Sequence, residues 1–326
     1  MTQASQGGLV IANHIANHIA AAYRDNPTVL VVMVSRSVAR GLADSSSDLE
    51  IGVFWTHPPS DDKRKTAIAR TGGEVWSFTR YQTEPEVVAH EHFGLSELVV
   101  DGQPYIGSLM VSTNHLTRSG MERCLADVLE QYDTALDKQT LIAAVQDAHP
   151  LYGAALLCAW QARASAYPDQ LAIKMIQENL WCGPWCMPHT YAARDDTLVL
   201  YQHFIWMQQS ILKILAGLNR VYYRSEEHKW LDAMISRFSN APPDLALRMK
   251  QVFREDPVIG VRHMLELICE TALLVEQHLP EVNRIPLFAA NPDVTTTWAL
   301  RRWEPATPDT LMHAVGAGIA EASKAG

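Results

Sequence analysis

Two acidic residues two positions apart, Asp48 and Glu50, stand where a polar stretch of small residues meets an apolar run. In an extended strand, residues i and i+2 share a face, so both carboxylates should point the same way. Such a pair can hold divalent cations such as Mg2+. The stretch before it opens with Ser35-Arg36-Ser37 and continues through Arg40 to Ser47. Hydroxyls, backbone N–H groups and a guanidinium gathered in a tight turn are groups that bind phosphate. The expectation is a site with Asp48 and Glu50 as catalytic and metal-binding residues, and Ser35, Arg36, Ser37, Arg40 and Ser47 beside a phosphate.

Those groups need a frame. Val29 to Val34 is a continuous apolar run rich in β-branched residues, and Leu49 to Trp55 is a second, ended by His57-Pro58-Pro59. Both read as buried strands. Ahead of them, Ile11, Ile15, Ile19 and Tyr23 repeat every four residues. That predicts a helix from Leu9 to Tyr23, stopped at Asp25-Asn26-Pro27. Further strands are expected at Glu74–Phe78, Glu97–Val100 and Tyr105–Val111, the last two joined by the hairpin dipeptide Asp101-Gly102. From about Leu116 the period turns helical, with helices expected near 119–133, 138–146, 151–165, 169–181, 196–220, 228–239, 243–253 and 257–278. The reading is an α+β chain with an N-terminal mixed sheet and helices over 1–116, and an all-helical domain over 117–326. In the 196–220 helix, Gln202, Gln209, Lys213 and Arg220 share one polar face.

The 326 residues suit about two domains, and 48% hydrophobic content is ordinary for a folded chain. A net charge of -9 argues against nonspecific nucleic-acid binding, which needs a basic field. The five cysteines are odd in number and mostly in helix-like surroundings, which reads as a reduced, cytoplasmic protein. No secretory leader and no membrane span are expected. Cys182 and Cys186, in Trp-Cys-Gly-Pro-Trp-Cys, are one residue too far apart for a dithiol redox motif and read as a helix end. A zinc site there with His189 would need a fourth ligand. His14 and His18 lie off the isoleucine stripe and read as exposed. His90 and His92 would share a face if extended, as surface or cleft lining.

The segment Ser35 to Glu50 resembles the signature of the nucleotidyltransferase superfamily of the DNA polymerase beta type, above all its aminoglycoside and other small-molecule members. Ser37, Ala39, Arg40, Gly41, Ser47 and Asp48 match that pattern in register. Three positions depart from it. Arg36 replaces a glycine, Glu50 replaces an aspartate, and the strand Tyr105–Val111 carries no third acid. Ala193-Arg194-Asp195-Asp196 precedes the long helix, which ends Gly217-Leu218-Asn219-Arg220-Val221-Tyr222-Tyr223, and Lys229-Trp230 follows; over about 190–255 this resembles the helical domain of unknown function fused to bacterial nucleotidyltransferase domains. That likeness implies a cleft between the two parts, with Asn219, Tyr223 and Lys229 facing it and Lys229 near a phosphate. On the residues alone, Asn219 would instead cap its helix and Lys229 would be a surface charge.

The resemblance implies Mg2+-dependent transfer of a nucleoside monophosphate from a nucleoside triphosphate (NTP) to a hydroxyl of a small molecule. The departures imply an alternative: a divergent member that has lost transfer and uses the cleft to bind, or act differently on, a small polar ligand. A third reading, transfer to tRNA or protein, meets the acidic charge.

Overall fold

The computed structural model describes residues 3–81, 87–100, 103–180, 186–224 and 229–282. In chain order the elements are α1 (Gln3–Arg24), β1 (Val29–Val34), α2 (Arg36–Ala39), β2 (Leu49–Trp55), α3 (Asp61–Thr71), β3 (Glu74–Arg80), β4 (Val87–Val100) and β5 (Gln103–Thr117). Then follow α4 (Arg118–Leu129), α5 (Leu136–Asp147), β6 (His149–Tyr152), α6 (Ala154–Ala164) and α7 (Asp169–Asn179). The chain continues with α8 (Cys186–Ala193), α9 (Thr197–Leu218), α10 (Leu231–Ile235), α11 (Leu245–Arg254) and α12 (Pro257–His278). The fold class is α+β, a mixed sheet followed by a helical C-terminal part.

Among the described residues six strands form one sheet, in the order β3-β4-β5-β2-β1-β6. Only β2 and β5 are parallel; the other pairs are antiparallel. The strand alternation sends side chains to two cores. Leu49, Ile51, Val53 and Trp55 of β2 pack with Ile15, Ile19 and Tyr23 of α1 and with Ile68 of α3. On the other face Val31, Met33, Phe54 and Leu116 belong to one core with helices α4 to α12. The Phe54 and Trp160 rings, 4.8 Å apart between centroids, join the sheet to α6 across that core.

Several elements differ from the sequence reading: α10 is shorter than the expected 228–239, β5 is longer than the expected Tyr105–Val111, and four others differ for physical reasons. The strand β4 begins ten residues before Glu97, because Glu91 breaks the apolar pattern yet is fully buried. Arg64 Nη1 meets Glu91 Oε2 at 2.7 Å, and His115 Nε2 contacts Glu91 Oε1. The Trp55 indole N–H donates to His115 Nδ1 at 2.9 Å. The indole only donates, so His115 Nδ1 accepts and Nε2 carries the hydrogen turned to Glu91. Helix α3 was not expected, because its core side carries Arg64 between polar residues and only Ala67 and Ile68 are buried apolar side chains. It is held by local chemistry: Ser60 Oγ accepts from the Lys63 N–H, and Gly72 ends the helix at φ +75°. Strand β6 is four residues long, contains Pro150 and sits at the sheet edge, where proline is tolerated. Its pairing with β1 delays α6 from the expected 151 to Ala154. Helix α8 is short and was not expected; Cys182 and its Gly-Pro neighbours lie outside the described residues.

Among the described residues, no helix is long and apolar enough to cross a membrane. His14 is exposed, as its place off the stripe predicts, whereas His18, expected to be exposed too, is half-buried.

Candidate anion and ligand site at the Arg36 turn

The site is built by the way β1 hands over to β2. At the end of β1 the Ser35 N–H donates to the Glu50 carbonyl at 3.0 Å. The next residue, Arg36, turns to φ +55°. That left-handed region favours glycine and strains any residue that carries a Cβ, arginine included. The glycine expected at this position from the family pattern therefore corresponds to a real backbone demand, and Arg36 meets it under strain. After α2 the chain folds around the Ser37 carbonyl, which accepts from the N–H groups of Leu42 at 2.9 Å and Ala43 at 3.1 Å. Gly41, at φ +68°, makes that reversal. Asp44 then closes a turn: its Oδ1 accepts from the Ser46 N–H at 2.9 Å and from Ser47 Oγ at 3.0 Å. These bonds, led by the one from Ser46, hold the Asp44 carboxyl below its usual range. Ser47 is thus spent on the turn.

Across the sheet, β5 pairs Ser112 with Glu50, and β4 pairs His92 with Ser112. His92, Ser112 and Glu50 form one cross-strand row ending beside Ser35. Glu50 alternates with Leu49 and Ile51, which belong to the opposite core, so it faces the helical part. Ser112 Oγ donates to Asp48 Oδ2 at 2.8 Å and lies 2.9 Å from His92 Nδ1. An ionised carboxylate only accepts, so Ser112 gives its one hydrogen to Asp48 and His92 Nδ1–H donates to Ser112. The His90 ring stands edge-on to His92, with centroids 4.3 Å apart.

Glu50 is the most perturbed group of the site. Its Oε1 lies 2.8 Å from Arg36 Nε, with the two side chains 13% and 26% exposed. Burial pushes its carboxyl up from 4.5 to about 7, against the lowering pull of Arg36, and nearby Asp48 adds to the rise. Lys229 and Arg40 pull it down more weakly. Both carboxylates therefore act on one space, on one face of the sheet, and of the cations around it Arg36 acts most strongly on Glu50.

The structure brings together Asp48, Glu50, Ser35, Arg36, Arg40 and Lys229. Arg40 Nε donates to the Arg36 carbonyl at 3.2 Å, and exposed Lys229 acts electrostatically on both Asp44 and Glu50. Ser37 is buried at the turn. Asn219 and Tyr223 are placed elsewhere. The Asn219 amide donates to the carbonyls of Leu215 and Asn240, and its Oδ1 accepts from the Asn240 N–H, all at 2.8 Å. Those bonds cap α9 and use up the side chain. Tyr223 is buried in the helical core. Ser112 joins the site without having been singled out, and His92, expected as surface or cleft lining, joins it through Ser112. The paired alternation of His90 and His92 was the signal for β4, and the serine is visible only once the register is known.

A pair of Mg2+ ions bridged by shared carboxylates needs more acidic donors than this site presents. Glu50 is taken by the Arg36 guanidinium, and the neighbouring strand position holds Ser112, already donating to Asp48. Among the described residues no group of three or more His, Cys, Asp or Glu converges to hold a metal. The donor set does not fit a two-ion centre.

Beside the row lies a cavity of about 550 Å³, between the sheet face and α5, with Arg36 at its wall.

No family model matches the chain, and no curated protein matches it. Solved structures do. A nucleotidyltransferase-like protein from Exiguobacterium sibiricum is 11% identical, with a TM-score of 0.36, over 82% of this chain and 78% of that one. The Cid1 poly(U) polymerase is 16% identical, with a TM-score of 0.24, over 45% of this chain and 41% of that one. Cid1 in complex with the UTP analogue UMPNPP matches with the same values. The chain is similar to these structures; its segment from Ser35 to Glu50 leads from the end of β1 through α2 into β2 and frames the site.

Proposed function

We propose that this chain uses a nucleotidyltransferase-like frame to bind a small anionic ligand, with Arg36 supplying the positive charge at the site. The observation that carries the reading is the Arg36–Glu50 contact made on a left-handed backbone. A strained backbone at a site is the kind of feature that surrounding structure retains for a role. A guanidinium offers fixed donors to a carboxylate or phosphate, and here it would exchange Glu50 for the ligand. Arg40 and Lys229 add positive potential, and Ser112, bonded to both Asp48 and His92, links the row across three strands.

A second reading keeps the Mg2+-dependent transfer of a nucleoside monophosphate from an NTP to a small-molecule hydroxyl. It is favoured by Asp48 and Glu50 acting on one space beside the Ser37 turn. It requires Arg36 to leave Glu50.

Calorimetric titration of the full chain with ATP, GTP, CTP and UTP, each with and without Mg2+, separates the two. The first reading expects any binding to be metal-independent and lost in Arg36→Gly. It also expects Mg2+-dependent binding only in the double variant Arg36→Gly/Glu50→Asp, which restores the family pattern. Turnover of a triphosphate by the unaltered chain, abolished by Asp48→Ala, would establish the second reading and remove the first.

A further inference from the structure

We infer that the cavity between the sheet and α5 seats a small organic acid with an apolar body, its single negative charge held at Arg36. The inference rests on the anion-binding reading above and names its ligand class. One wall is the sheet face, with Met33 and Leu116; the other is α5, with Leu141 and Ala144 one turn apart on the same helix face. At about 550 Å³ the space is in the range of ligand pockets, which are mostly apolar with a few placed polar groups. Among the described residues Arg36 is the one cation in its lining, and Asn114 adds an amide able to donate to the second oxygen of an acid group or to accept from a hydroxyl.

The charge pattern selects against a polyphosphate. A triphosphate brings several negative charges, and this cavity offers one guanidinium. Its rim also carries the exposed carboxylate of Asp137, which repels a second negative charge. The bulk of the lining can instead take methylene or aryl groups, whose burial is favourable in proportion to the apolar area removed from water. A molecule with one carboxylate and roughly six to ten carbons matches both ends.

The test uses the full chain and three probes: 3-phenylpropanoate, octanoate and indole-3-acetate, each beside its neutral amide, with metal-free ATP as a reference. Binding is read by ligand-observed NMR and calorimetry. At least one acid is expected to bind ten times more tightly than its amide or better. Arg36→Gly, which also relieves the left-handed strain, should weaken that acid at least tenfold. Ala144→Phe, which fills the cavity from a half-buried helix position, should abolish it, with circular dichroism checking the fold. The comparison of acid with amide needs no variant. Equal binding of acid and amide, or acid binding that survives Ala144→Phe in a folded sample, overturns the inference. If ATP binds and loses affinity in Arg36→Gly while none of the acids binds at 10 mM, the inference fails and the anion-binding reading stands. If neither ATP nor any acid binds, both fall.

Discussion

Replacing Glu50 with glutamine should remove a large part of the pH dependence of this protein's stability. In the folded chain the Glu50 carboxyl rises from 4.5 to about 7, because its burial outweighs the pull of Arg36. Between those two values the folded state keeps the proton that the unfolded chain has already released. The folded state therefore binds more protons, and stability falls as pH rises through that window. At about 1.36 kcal/mol per unit of pKa, the rise is worth about 3 kcal/mol, all of it expressed by about pH 8 and none of it at pH 4. Glutamine is close in shape to the protonated acid and does not titrate. Urea unfolding of both proteins at pH 5, 6, 7 and 8 gives the difference directly. The variant should gain on the natural chain by about 1 kcal/mol per pH unit across pH 5 to 7, then hold a constant advantage. Parallel stability curves from pH 5 to 8 would refute the reasoning, since they would mean that Glu50 ionises alike in the folded and unfolded chains.

Arg36→Gly removes the largest influence lowering the Glu50 carboxyl, so the fall in stability should continue above pH 7 in the same urea series. At pH 6 the net change should stay within about 1 kcal/mol, because relief of the left-handed backbone offsets a partly exposed ion pair. Glu91→Ala leaves the fully buried Arg64 without its 2.7 Å carboxylate partner, and thermal or urea unfolding should show a loss of about 3–5 kcal/mol. Gly153→Ala adds a Cβ 1.9 Å from the Leu30 carbonyl oxygen at φ +71°; chemical denaturation should show a loss above about 3 kcal/mol, or no folded protein at all.

The strands and helices that rest on apolar periodicity could be read from the sequence. The run Val29–Val34, the β2 segment Leu49–Trp55 and the long helices α9 and α12 are all where pattern puts them. Elements held by polar chemistry could not. Helix α3 is anchored by Arg64 reaching Glu91 on a strand 27 residues away, and nothing local announces that pairing. Half of the site was legible for the same reason as the strands: Arg36, Asp48 and Glu50 lie in the one short stretch that leads from β1 into β2. The other half depends on register. Ser112 becomes a partner of Asp48 only because β5 runs parallel to β2 with Glu50 opposite Ser112. Asn219 shows the converse. Its amide suits a cleft in composition, but three backbone groups within reach claim it first.

Strand β6 comes from beyond residue 116 yet closes the edge of the sheet on β1, and Phe54 shares a core with Trp160. Cutting the chain after 116 would therefore strip β1 of a neighbour and lay Val31, Met33 and Phe54 open to water. The N-terminal piece, made alone, should be a sticky fragment rather than a miniature of the whole. Swapping in a helical half from another protein would have to bring an edge strand with it.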